Sequence, residues 1–186
     1  SVSAITEKDK EHLEFGTKHD VDFVAVSFVR NAGDINTVRD LIPNDIKVIA
    51  KIELKAALDN IEEILDVADG VMVARGDLGV QLPLEQVPFV QKQILDAANK
   101  KGKISITATE MLQSMKSSYR PTRAEVTDIT NAILEGSDAV MLSAETSIGD
   151  NPNRVVEVMS LICSETDSKN DTSSLLSKEN TSVHSI

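Results

Sequence analysis

Five short apolar runs, each separated from the next by enough residues for a helix, most constrain how this chain can fold. They occupy residues 23–28, 46–52, 70–74, 103–108 and 138–143. Most are rich in β-branched residues and apolar on both faces, which is typical of parallel strands covered on both sides. Because helical patterns lie between the runs, the sequence predicts an α/β fold built on a parallel sheet.

The predicted helices alternate with these strands, and two of them carry capping signals. Thr6 with Asp9 opens the first helix, which is predicted to end near Phe15. Thr122 with Glu125 forms a T-x-x-E capping box at the start of a later helix. The remaining predicted helices span 32–41, 57–67, 87–98 and 153–162.

Two architectures fit this alternation. The strands are predicted to start near residues 22, 46, 70, 103 and 138, which are 24 to 35 residues apart. A (β/α)8 barrel of about 250 residues uses about 31 per unit. A partial barrel with three units missing is therefore one interpretation. The other is a five-stranded doubly wound sheet, which can stand as a complete fold. Periodicity does not separate the two.

Polar side chains at the carboxyl ends of the runs favour the barrel. A barrel gathers these ends around one mouth, whereas a doubly wound sheet spreads them along a line. The polar residues at or just past the five runs are Ser27 and Arg30; Lys51 and Glu53; Arg75 and Asp77; Thr107, Thr109 and Glu110; Ser143 and Glu145.

Composition restricts the class of function. The net charge of −11 argues against a nucleic-acid-binding protein, which normally presents a basic face. No apolar run approaches the roughly 20 residues that cross a bilayer, so we expect no membrane partner. Cys163 is the one cysteine in the sequence, which excludes an intrachain disulfide and fits a reducing, cytoplasmic setting.

Several residues in the middle of the chain suggest chemistry. Glu53 and Asp77, at the ends of neighbouring strands, suit a hard divalent cation such as Mg²⁺. Lys51 lies in an apolar strand, so its ammonium either pairs with an acid or reaches solvent. Gly76 and Gly79 are either turn glycines or positions where backbone N–H groups approach an anion.

Longer motifs carry a resemblance to the pyruvate kinase family. They are AKIE at 50–53, MVARGDLGV at 72–80, ITATEMLQSM at 106–115, YRPTRAEVTDITNAI at 119–133 and DAVMLSAET at 138–146. Their order and spacing match, from about Thr6 to Ile162. The resemblance implies that residues 1–163 are the second half of a TIM-barrel catalytic domain, strands four to eight. Residues 164–186 contain too few apolar side chains to form a folded structure, so we predict a disordered linker there.

The resemblance also implies an activity and a site. The activity is transfer of the phosphoryl group from phosphoenolpyruvate to ADP, giving pyruvate and ATP in the last step of glycolysis. Glu53 and Asp77 are then the ligands of Mg²⁺ or Mn²⁺, and Lys51 contacts the phosphoryl group. The backbone of Gly76 and Asp77 lies against the substrate carboxylate, and Thr109 helps to organise protonation of the enolate.

For a complete enzyme the resemblance implies a K⁺ requirement and a homotetramer, and an isolated fragment is expected to be inactive. Leu54, Glu110 and Ala144 stand where the family commonly has Asn, Gln and Gly, but none of these departures removes a metal ligand or the lysine. Two alternatives stay open. One is another metal-dependent barrel enzyme acting on pyruvate or phosphoenolpyruvate, and the other is an inactive fragment serving as an assembly module.

Overall fold

The structure is a computed structural model that describes residues 5–170, and these form two compact units. The first contains residues 5–111 and 135–143, and the second contains residues 112–134 and 144–170. Among the described residues, no helix combines the length and the apolar character that crossing a lipid bilayer requires.

The first unit is built on a parallel sheet, as the sequence predicts. Its strands are β1 (Phe23–Val26), β2 (Lys47–Ile52), β3 (Gly70–Ala74), β4 (Ile104–Ala108) and β5 (Ala139–Met141). Every neighbouring pair is parallel, and the order is β1-β2-β3-β4-β5. Each strand therefore lies beside the one that precedes it in the chain. A doubly wound sheet reverses its order at a switch point, so the doubly wound alternative is excluded for the described residues.

The helices of the first unit follow the predicted alternation with two differences. They are α1 (Glu7–Lys18), α2 (Ala32–Arg39), α3 (Lys55–Asp59), α4 (Ile61–Val67), α5 (Arg75–Gln81) and α6 (Val87–Lys100), with a 3₁₀ turn at Leu84–Gln86. The helix predicted at 57–67 is split at Asn60, whose side-chain amide donates a 2.9 Å hydrogen bond to the carbonyl of Arg30. The segment that begins at Arg75, predicted as a glycine-rich turn or nest, is the short helix α5.

The sheet separates two groups of aliphatic side chains. Val48, Ile52, Val71 and Val73 belong to the large core that also includes the buried sides of α2, α4 and α6. Ile49, Met72 and Ala108 form a small cluster of their own. Because side chains alternate along a strand, Lys51 lies on the same face as Ile49. The strand pattern thus directs this lysine away from the large core.

The second unit is helical in the described residues. It contains a 3₁₀ turn at Gln113–Lys116, α7 (Arg123–Leu134), α8 (Ala144–Ser147) and α9 (Pro152–Lys169), and α7 packs against α9. The predicted helix 153–162 continues to Lys169, so the predicted tail from Ser164 starts too early. Thr166 is buried, and its hydroxyl donates a 2.7 Å hydrogen bond to the carbonyl of Ile162, which supports the extra turns. The rest of that tail, 171–186, lies outside the described residues.

Candidate functional site

A buried ion pair lies at the carboxyl end of β2. Glu53 directly follows the strand and is 1% exposed. The ammonium nitrogen of Lys51 is 2.7 Å from Oε1 of Glu53 and donates a 2.8 Å hydrogen bond to the hydroxyl of Ser27. Of the two interpretations of Lys51, the structure therefore supports pairing, although the side chain retains 25% exposure. The pairing also explains how Glu53 can be buried, because an isolated carboxylate there would be costly.

The second oxygen of Glu53 is held by the chain that follows β1. The backbone N–H of Phe28 donates a 2.6 Å hydrogen bond to Oε2 of Glu53. Phe28 has φ 55°, in the left-handed region that bulky residues rarely adopt. A charge-assisted hydrogen bond is about twice as strong as a neutral one, so the contact with Glu53 supports this conformation. The ends of β1 and β2 thus form one polar cluster.

A second cluster joins the ends of β3 and β4. The N–H of Gly76, in the first turn of α5, donates a 2.8 Å hydrogen bond to the hydroxyl oxygen of Thr109. The guanidinium of Arg75 donates to the carbonyl of Thr109, at 2.7 Å from Nη2 and 3.3 Å from Nε. Gly76 and Thr109, two of the predicted site residues, are therefore in direct contact.

Thr109 has an unusual backbone. Its φ is 71°, and that of Glu110 is 55°. A non-glycine residue held in this region costs on the order of 1–3 kcal/mol, and a β-branched side chain is among the least tolerant. A hydrogen bond to a charged group contributes about 1.5–3 kcal/mol. The contact from Arg75 is therefore of the right size to offset the strain at Thr109.

Asp77 is exposed in the first turn of α5. In the register of β2 with β3, Ile52 pairs with Val73, so Glu53 and Asp77 both follow the same end of neighbouring parallel strands. Within residues 5–170, no three His, Cys, Asp or Glu side chains form a group that could hold a metal ion.

Both residues nevertheless offer carboxylate oxygens, the type of ligand that Mg²⁺ prefers. This ion is usually bound through one or two carboxylates, with water and substrate completing its coordination. A carboxylate has about four lone-pair positions, so Glu53 keeps acceptor capacity beyond its contacts with Lys51 and Phe28. Mn²⁺, another oxygen-preferring divalent ion, suits the same pair.

Other polar residues at strand ends have different partners. Arg30 binds Asp34 through Nη2 and Oδ1 at 2.9 Å, and the hydrogen bond from Arg30 lowers the pKa of the Asp34 carboxyl. The hydroxyl of Thr107 is buried and lies 2.9 Å from that of Ser137. Ser143 lies in the first unit, whereas Glu145 belongs to the second unit, where its Oε1 accepts a 3.2 Å hydrogen bond from the N–H of Leu112.

Sequence reasoning missed two contributors to the clusters. The N–H of Phe28 could not be predicted, because any residue supplies a backbone donor. Gln91 is 5% exposed in α6 and accepts a 3.4 Å hydrogen bond from Nη1 of Arg75. An amide on the apolar stripe that carries Ile94 and Leu95 was a signal that could have identified it.

Comparisons with known proteins identify the family of the chain. Residues 1–156 match the family model described as "Pyruvate kinase, barrel domain". The chain is 54% identical over 165 residues to "Pyruvate kinase 2" of Synechocystis sp. (strain ATCC 27184 / PCC 6803 / Kazusa), covering 87% of this chain and 28% of that protein. It is 53% identical over 165 residues to the pyruvate kinase of Trypanoplasma borreli, covering 89% and 33% respectively.

The pyruvate kinase of Dictyostelium discoideum is 49% identical over 168 residues, again covering 89% of this chain and 33% of the relative. The chain thus spans about a third of the length of the curated relatives it matches. A family match over most of the chain, with identities near one half, shows that the chain belongs to the pyruvate kinase family.

Proposed function

We propose that this chain is part of an enzyme that transfers the phosphoryl group of phosphoenolpyruvate to ADP, giving pyruvate and ATP. The observation that carries the proposal is the Lys51–Glu53 pair at the carboxyl end of β2, in a chain of the pyruvate kinase family. Residues 1–163 would then correspond to strands four to eight of the family's barrel.

Lys51 is suited to stabilise the phosphoryl group during transfer. Phosphoryl transfer spreads negative charge over the equatorial oxygens, and catalysis depends on positioned cations. The ammonium of Lys51 is already held by Glu53 at 2.7 Å and by Ser27 at 2.8 Å. A preorganised charge of this kind needs little reorganisation when the reaction occurs, so we assign Lys51 a catalytic and substrate-binding role.

Glu53 and Asp77 would hold Mg²⁺ or Mn²⁺. When bound, such an ion supplies charge neutralisation at phosphate and enolate oxygens. Glu53 brings a fixed ligand, because both of its oxygens are anchored, at 2.7 Å by Lys51 and at 2.6 Å by Phe28. Asp77 is exposed, so its carboxylate is accessible to a metal ion that arrives with the substrate.

Gly76, Asp77 and Thr109 would bind the substrate. We place the carboxylate of phosphoenolpyruvate against the backbone of Gly76 and Asp77. The hydroxyl oxygen of Thr109 accepts the N–H of Gly76 at 2.8 Å, so its own proton is directed elsewhere. That proton, or a water bound to it, can serve the step in which carbon 3 of the enolate gains a proton and becomes the methyl group of pyruvate.

The complete enzyme would also use K⁺, assemble as a homotetramer and act in the cytoplasm. These three proposals rest on the family resemblance rather than on a contact within residues 5–170.

A coupled assay on the protein translated from the complete reading frame tests the proposal. ATP should form when phosphoenolpyruvate, ADP and Mg²⁺ are all present, and omission of any one should abolish it. Lys51→Met should lose most of the activity. Lys92→Met is a matched control, because Lys92 pairs with Asp96 on the exposed surface of α6, and it should retain activity. Cleavage of a 4-hydroxy-2-oxo acid to pyruvate and an aldehyde, without ADP, would favour the other barrel enzyme. No turnover of either substrate would favour the assembly module.

A further inference from the structure

Arg75 has no part in the function proposed above, although the sequence places it at the mouth of an apolar strand. We infer that Arg75 is a positioning residue that, with Gln91 and Glu135, fixes Thr109 for protonation of the enolate. This inference rests on the proposed function, because the proton step belongs to that reaction.

Three contacts of Arg75 reach the segment that follows β4. Two of its nitrogens, Nη2 at 2.7 Å and Nε at 3.3 Å, donate to one acceptor, the carbonyl of Thr109. Nη2 also lies 3.4 Å from the sulfur of Met111. The planar fork of a guanidinium holds an acceptor in a fixed direction, which a lysine ammonium does not.

Gln91 supports the guanidinium from α6. Its Oε1 accepts from Nη1 of Arg75 at 3.4 Å, and its Nε2 donates to Oε2 of Glu135 at 2.8 Å. The Gln91 side chain is nearly fully buried and is held at both ends of its amide. Glu135 thereby orients Gln91, and Gln91 contacts the third nitrogen of the guanidinium.

Two consecutive residues hold the two polar groups of Thr109. Arg75 binds its carbonyl, and the N–H of Gly76 binds its hydroxyl at 2.8 Å. The φ of 71° at Thr109 is one that a β-branched residue leaves when it is not supported. Relaxation of the backbone would turn the hydroxyl away from Gly76. Because Arg75 and Gly76 are adjacent at the start of α5, the guanidinium and the N–H act on Thr109 as one rigid element.

A double-mutant cycle in the complete protein tests this inference. The variants are Arg75→Met, Thr109→Ala and their combination. The readouts are kcat for ATP formation, KM for phosphoenolpyruvate and the rate of solvent hydrogen exchange into the methyl group of pyruvate. We expect Arg75→Met to lower the exchange rate about 10²-fold, the loss that a small misplacement causes, with KM changed less than about threefold. In the Thr109→Ala background the same substitution should lower the rate less than about threefold.

Arg39→Met is the matched control. Arg39 belongs to the same unit, and like Arg75 it donates to a backbone carbonyl, that of Val67 at 3.2 Å. It also donates to the carboxylate of Asp69 at 2.5 Å. It should lower the melting temperature without the selective loss of exchange. Arg75→Lys keeps the charge without the fork, and it should behave like Arg75→Met.

The inference would be overturned if Arg75→Met lowered the exchange rate equally in the wild-type and Thr109→Ala backgrounds. A raised KM with unchanged kcat would also overturn it, as would a wild-type exchange rate in Arg75→Lys. Should Arg75→Met fail to fold, Gln91→Leu is the second variant. It should lower the exchange rate by a smaller factor, and this effect should again disappear in the Thr109→Ala background. An inactive wild-type protein would instead refute the proposed function. Crystal structures of the Arg75→Met protein would then decide the positioning role, which fails if Thr109 keeps its left-handed φ and its bond to Gly76.

Discussion

At the scale of single residues, the Lys51–Glu53 pair has both a structural and a chemical consequence. Glu53 is 1% exposed, and a buried carboxylate requires a partner. Its partner, Lys51, is the cation that we propose for phosphoryl transfer. Removal of one member of a buried pair typically costs about 3–5 kcal/mol because the other charge stays unpaired. Substitutions of Lys51 must therefore be interpreted together with the stability of the protein.

The first prediction concerns Lys51→Met in the complete protein. This change keeps the length of the side chain but removes the charge, and loss of one preorganised electrostatic group lowers kcat about 10²–10³-fold. Phosphoryl transfer should be slowed, whereas proton exchange at the methyl group of pyruvate should be largely retained. The melting temperature should also fall, because Glu53 loses its 2.7 Å partner. A parallel loss of both half-reactions together with substrate binding would make Lys51 a binding residue instead.

The second prediction concerns Asp77→Ala. Asp77 is exposed, so its removal should leave the melting temperature within a few degrees of the wild type. Binding of Mn²⁺ and nearly all turnover should be lost if its carboxylate is a metal ligand. Titration of Mn²⁺ followed by electron paramagnetic resonance measures the first effect directly. Asp96→Ala on α6 is the control, and equal Mn²⁺ affinity in the Asp77 variant and this control would refute the assignment.

At the scale of elements, the start of α7 is tied to the preceding 3₁₀ turn by one carboxylate. Glu125 accepts hydrogen bonds from the N–H and hydroxyl of Ser114, both at 2.6 Å, and from the N–H of Thr122 at 2.7 Å. The N–H of Glu125 donates to the hydroxyl of Thr122 at 3.2 Å, which confirms the predicted capping box. Burial alone would raise the pKa of the Glu125 carboxyl, but these hydrogen bonds outweigh it and lower the pKa.

The third prediction follows from that lowered pKa. A carboxylate with a depressed folded-state pKa stabilises the fold above its ordinary pKa of 4.5 and loses this contribution as the pH falls through the folded value. Glu125→Gln should therefore destabilise α7 by about 1 kcal/mol at neutral pH and by progressively less below pH 4.5. Amide hydrogen exchange in Arg123–Leu134 measures the effect. A difference between variant and wild type that does not change with pH would contradict the assignment.

At the scale of the whole molecule, β1 and β5 are the edges of the sheet in the described residues. The first strand is unusually exposed for an apolar one, with Phe23 at 50%, and Phe28 just beyond it is 59% exposed. A groove of about 620 Å³ runs beside this strand, lined by residues of α1 and β1. An unpaired strand edge flanked by apolar side chains is a template for association with another chain.

The fourth prediction is that the 186-residue chain, when produced alone, self-associates and shows no kinase activity. Light scattering should give a mass above that of the monomer. Phe23→Lys should reduce the association, because a charge on an edge strand opposes pairing. Phe89→Lys is the matched control, since Phe89 is 77% exposed on α6, away from the edge. A monodisperse monomer with a cooperative melt would contradict the prediction, most seriously if it converted phosphoenolpyruvate and ADP.

The sequence by itself determined the elements that depend on local patterns. The alternation of β-branched runs with helical stripes predicted the parallel strands, since buried parallel strands are apolar on both faces. The capping residues of α1 and α7 could be predicted because the two residues of each cap are only three positions apart. Family motifs identified Lys51, Glu53, Gly76, Asp77 and Thr109 as candidates, and the resulting roles stay predictions.

Only the tertiary structure decided what depends on distant partners. Strand order separated the barrel-like arrangement from the doubly wound sheet, because both predict the same local pattern. Helix α5 was missed because Gly76 and Gly79 have low helix propensity, yet contacts to Thr109 hold its first turn. The left-handed φ of Thr109 likewise depends on an arginine 34 positions earlier in the chain. Such contacts form only when separate strands meet, which no local pattern encodes.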